Sequence, residues 1–131
     1  MKINNFVKEV HENAKAHGWW DKLRSDLEIM ALIHSEISEA VEEIRKGTPP
    51  AYKFSGVEYK SGETKEYKYT PNDDEFHEHE IKPEGVAVEL ADAVIRIMDF
   101  FAYKNWDLEY VLKIKHEYNK TRSYRHGGKK Y

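Results

Sequence analysis

The stretch EGVAVELADAVIRIMDFFAY, Glu84 to Tyr103, constrains this chain more than any other. At the α-helical period of about 100° per residue, its apolar residues cover all but a strip of roughly 80°. Val86, Leu90, Ala93, Val94, Ile97, Met98, Phe100 and Phe101 fill one broad side, and Val88, Ala91 and Ile95 extend it onto the opposite flank. The strip that remains holds Glu89, Asp92, Arg96 and Asp99. A surface helix has a far wider polar face, so this helix is expected to be enclosed by neighbours. Its acids would then line an internal cleft.

The rest of the chain reads as helical partners for that segment. Asn4 or Asn5 can cap a first helix running to about Ala16, which HGWWD ends, Gly18 suiting a helix C-terminus. A second helix is expected from Ser25 or Asp26 to Lys46, stopped by Gly47 and by Pro49 and Pro50. Its core stripe is Ile29, Leu32, Ile33, Ile37, Ala40, Val41 and Ile44. After the opening segment, Asp107 is placed to cap a fourth helix from Leu108 to Tyr118 or beyond. Between residues 51 and 82 the pattern changes to alternating aromatic and polar residues around SGET, which predicts a short β-hairpin. The expectation is one all-α, four-helix-bundle-like domain over residues 1–131, with a hairpin insert between its second and third helices.

Glu36 and Glu39 lie three apart beside the core stripe of the second helix, and Glu89 and Asp92 three apart on the third. Residues so spaced share a helix face one turn along. If the two helices pack antiparallel, four carboxylates converge, and desolvated like charges repel unless a positive partner sits among them. A hard divalent cation with oxygen ligands answers that need; Mg²⁺ takes a few carboxylates and leaves other positions for water or phosphate. Same-helix pairs offer the alternative answer: Asp92 with Arg96 at i,i+4 and Arg96 with Asp99 at i,i+3 would make the strip a set of salt bridges.

HSEISEAVEEIRKG together with EGVAVELADAVIRIMDF resembles the MazG-like, all-α nucleoside triphosphate pyrophosphohydrolases, whose signature is ExxE on one helix and ExxD on the next. The resemblance covers about residues 1–47 and 83–131; the segment between the motifs is longer than is usual for the family. It implies that Glu36, Glu39, Glu89 and Asp92 bind Mg²⁺, with Mn²⁺ a possible substitute. It implies cleavage of a nucleoside triphosphate to the monophosphate and pyrophosphate, and assembly as a homodimer or homotetramer. Water would be the nucleophile, with Glu39 the first candidate for its base and Glu36 the second. HGWW is similar to the turn before the motif helix in that family, which makes Trp20 the candidate for the nucleobase. The asparagine–arginine–glycine order of the tail resembles the phosphate-gripping motif of the related all-α dUTPases, so Asn119, Arg122 and Lys129 are candidate substrate contacts.

Composition closes off other classes. A net charge of −3 argues against a general nucleic-acid or membrane-surface binder. Without cysteine there is no disulfide, zinc–thiolate site or thiol nucleophile, which fits a cytoplasmic protein. No P-loop or GxGxxG motif is present. His77 and His79 share a strand face if HEHE is extended, yet read as solvated. A non-catalytic nucleotide sensor and a purely structural helical oligomer are the alternatives to an enzyme.

Overall fold

The computed structural model describes residues 2–47 and 83–124. Within them the chain is all-α, with four helices in the order α1 (Ile3–Ala16), α2 (Asp26–Lys46), α3 (Val86–Tyr103) and α4 (Leu108–Thr121). The hairpin expected between residues 51 and 82 lies outside the described residues, and no β-strand occurs among those described. No helix among them is long and apolar enough to cross a membrane. They form two compact units, one of residues 2–23 and 98–124 and one of residues 24–47 and 83–97. The division falls within α3, between Ile97 and Met98.

The caps of α2 are those the sequence advertises. The Ser25 hydroxyl accepts a hydrogen bond from the Glu28 amide at 3.1 Å, satisfying one of the orphan donors of the first turn. At the other end Gly47 adopts the left-handed conformation, φ 70°, and its N–H turns back to the carbonyls of Glu43 and Ile44. A side chain there would strain the backbone, which is why the helix stops at a glycine. Asp107 caps α4 as expected, accepting from the Tyr110 amide at 3.0 Å.

The start of α1 differs from expectation. Neither asparagine caps it: Lys2 occupies the cap position and contributes no side-chain bond. The free Asn4 amide instead donates to Glu109 Oε1 at 2.8 Å, while Asn4 Oδ1 accepts from the Glu109 amide at 3.1 Å. Asn4 Nδ2 adds a bond to Asp107 Oδ1 at 2.8 Å. The second residues of α1 and α4 thus cap each other's first turns, a tertiary substitute for a local cap. Two helix N-termini carry like partial charges, and the carboxylates of Asp107 and Glu109 offset them. The bonds from Asn4 and from the Tyr110 amide hold the Asp107 carboxyl below its ordinary value. Val7, Phe100 and Leu108 form the core of this unit, with Trp106 against the rings of Phe100 and Phe101 at 5.5 and 5.6 Å.

In the other unit, Glu36 of α2 meets Arg96 of α3 and Glu39 meets Glu89, so the two helices run antiparallel. Ile29, Ala40 and Ala93 are its buried apolar residues. Three of the seven residues of the stripe expected for the α2 core are not covered: Ile37, Val41 and Ile44 stay 43–64% exposed, and Leu90 and Val94 on α3 are 44% and 48% exposed. The small alanines allow close approach at the crossing, and the longer side chains flank it without an opposing element among the described residues.

Candidate metal centre

Glu36 is the only polar residue among those described that is buried, at 8% exposure. One carboxylate oxygen from each of Glu36, Glu89 and Asp92 lies within 4.8 Å of the others. Two turns of α2 and α3, facing each other, produce this convergence, because i,i+3 spacing aligns Glu89 with Asp92 and antiparallel packing brings Glu36 opposite them. An all-oxygen set with no sulfur or imidazole suits a hard cation such as Mg²⁺ or Mn²⁺, so the residues present fit the group that the motifs imply.

Electrostatics support that fit. The Glu89 carboxyl is pushed up to about 7, first by burial, then by its hydrogen bond with Glu39, and then by the charges of Glu39, Asp92 and Glu36. Two carboxylates can share a hydrogen bond only if one keeps its proton, which is why the contact with Glu39 favours the protonated form of Glu89. A cation from α3 reaches the cluster: Arg96 Nε donates to Glu36 Oε1 at 2.6 Å.

Of the four expected ligands, three therefore form the cluster, and Glu39 stands beside it, exposed and joined through Glu89. Glu39 and Glu89 also line a cleft of about 390 Å³ with Ser38, Glu42, Glu43 and Lys46. The polar strip on α3 is divided between the units. Asp99 belongs to the other one, where its Oδ1 lies 2.7 Å from His11 Nδ1 and its two oxygens accept from Trp20 Nε1 at 3.0 and 3.1 Å.

Trp20 is fixed by that bond and by stacking on Tyr103, with ring centroids 4.2 Å apart and planes 18° from parallel. His11 meets its ring edge-on at 5.6 Å. Sequence reasoning missed His11; its only signal was a histidine at the inward edge of an amphipathic helix. The same residue lines a cleft of about 310 Å³ with Asn4, Val7, Asn105 and Trp106. Asn119 lies in the last turn of α4, and Arg122 just beyond it. Arg122 is the C-cap of α4 in an extended conformation, ψ 145°, and its guanidinium lies 5.8 Å from the centre of the Tyr118 ring. Both are exposed. Lys129, His77 and His79 lie outside the described residues. No protein-family model, curated protein or solved structure matches this chain.

Proposed function

We propose that this chain is a Mg²⁺-dependent nucleoside triphosphate pyrophosphohydrolase with a MazG-like, four-helix-bundle-like fold and a hairpin insert at residues 51–82. The observation that carries the reading is the convergence of Glu36, Glu89 and Asp92 from the two motif helices, with Glu36 buried. The motifs themselves contributed the expectation; the meeting of their carboxylates is an independent geometric fact.

Glu36, Glu89 and Asp92 would hold the cation. When bound, Mg²⁺ supplies the charge that lets an acidic cleft accept a triphosphate and orients the α-phosphorus. Glu39, adjacent to the cluster and exposed to the cleft, takes the proton of the attacking water; Glu36, held by Arg96, is the weaker candidate for that base. Water adds to the α-phosphorus, the bond to the bridging oxygen of the β-phosphate breaks, and monophosphate and pyrophosphate leave. Trp20, held by Asp99 and Tyr103, is the aromatic assigned to the base, and Asn119, Arg122 and Lys129 are the phosphate contacts the tail motif suggests.

The large apolar side chains left exposed on α2 and α3 support a homodimer or homotetramer, in which a second copy would cover them. The cysteine-free, acidic composition supports a cytoplasmic location and no nucleic-acid or membrane partner. The Arg96–Glu36 pair favours a second reading, in which the strip is a structural salt bridge. Against that reading stands the Glu89 carboxyl, raised by burial and by Glu39, Asp92 and Glu36 in spite of the Arg96 charge. An end-point assay for pyrophosphate across canonical and modified nucleotides, with Mg²⁺ and Mn²⁺, tests the proposal. Orthophosphate and a nucleoside diphosphate as the products would rule out the cleavage site.

A further inference from the structure

Arg96 lies one turn beyond Asp92 on α3, and spacing along that helix offers it only same-helix acids. The structure gives it Glu36 of α2 as well, through a 2.6 Å contact between side chains that are 28% and 10% exposed. A charge-assisted bond of that length to the most buried acid of the cluster is among the strongest polar contacts available to the chain. It is also directed at a carboxylate that the proposed metal centre needs.

A cation and a guanidinium cannot both use Glu36 without cost. If the cation takes Oε1, the Arg96 bond must break. If it takes the second oxygen, two positive charges face each other across one carboxylate. In either case the arginine opposes the metal, and in the absence of metal it relieves the repulsion among the acids.

Resting on the metal-centre reading, we propose that Arg96 is the built-in counter-cation of the Glu36–Glu89–Asp92 cluster. It is a positioning residue that holds Glu36 while the site is free and competes with the divalent cation for it. Arg96 thereby stabilises the metal-free fold and lowers the affinity of the site for metal.

The test uses the full chain, stripped of metal, as wild type, Arg96→Lys and Arg96→Gln. Mn²⁺ binding is titrated calorimetrically and by its electron paramagnetic resonance signal, and thermal melts are recorded in EDTA and in saturating Mn²⁺. Removing a positive charge a few ångströms from a divalent ion should tighten Mn²⁺ binding by about tenfold or more in Arg96→Gln. The same variant should melt below wild type in EDTA, with the gap closing or reversing in Mn²⁺. Arg96→Lys, which keeps the charge and loses the planar fork, should fall between. If Arg96→Gln folds only with metal present, affinity is read by chelator titration of the Mn²⁺-loaded protein, and unfolding on chelation is the expected direction. Equal or weaker Mn²⁺ binding by Arg96→Gln, with wild type binding normally, overturns the competition alone. Failure of both proteins to bind Mn²⁺ overturns the metal centre and the competition with it.

Discussion

The substitution Glu89→Gln should stabilise the metal-free protein at pH 8 and do much less at pH 5. Glu89 is pushed from the ordinary 4.5 to about 7, chiefly by burial and by its bond to Glu39. Between those values the folded protein binds a proton that the unfolded chain has released. This group therefore favours folding fully on the acid side of 4.5, and the contribution is lost as the pH climbs through 7. At pH 8 the folded state carries an ionised Glu89 among three other acids. At about 1.4 kcal/mol per pH unit, the interval from 4.5 to about 7 has a ceiling of about 3.4 kcal/mol. Glu89 is part-exposed, so solvent screening brings the expected gain down to about 1–2 kcal/mol. For a domain of this size that is a rise in melting temperature of roughly 3–8 °C. At pH 5 the folded wild type is already protonated at Glu89, so the neutral amide gains only about 0.5 kcal/mol. Melts of both proteins in EDTA at the two pH values measure the difference directly. An unchanged or lowered melting temperature at pH 8, or the same shift at both pH values, would refute the crowding of carboxylates on which the site is built.

Other outcomes follow from the same geometry. Glu36→Gln and Asp92→Asn should each lose about a hundredfold or more in pyrophosphate release and bind Mn²⁺ more weakly, as ligands would. Glu39→Gln should lose about 10²- to 10⁴-fold in kcat with Mn²⁺ affinity close to wild type, since a base outside the ligand set acts on rate; parallel loss of metal binding would make it a ligand instead. Asn4→Ala removes the reciprocal cap between α1 and α4 and should cost about 1–2 kcal/mol in denaturant melts, with activity per folded molecule retained. Sedimentation should find a dimer or larger species, and Val41→Asp on the exposed face of α2 should shift it toward monomer; an unaffected monomer in both cases would remove the assembly from the account.

What the sequence made legible was local. Ser25, Gly47 and Asp107 carry their structural roles in their own chemistry, and the helix ends they mark agree with those observed. Gly18, at φ 81°, ends α1 as its position suggested. Asn4 misled because its side chain does capping chemistry at a distance: its partners are more than a hundred residues away in sequence. The Glu36 partner of Arg96 was hidden for the same reason, since it arrives from another helix while the i−4 and i+3 acids are visible along one. The carboxylate site was legible because two i,i+3 pairs need only an antiparallel crossing to meet. That Glu39 stands outside the inner cluster was not, since it depends on how far α2 is rotated toward α3. His11 gave only the weak signal of its place at the inward edge of α1, which does not indicate that Asp99 and the Trp20 ring would close around it.

The account turns on whether a divalent ion sits among the three acids. Crystals grown with Mn²⁺ and measured at the manganese absorption edge give the most direct reading. The account predicts one strong anomalous peak about 2.0–2.3 Å from oxygens of Glu36, Glu89 and Asp92. Saturating Mn²⁺ with no peak there, and Arg96 still bonded to Glu36, would contradict it.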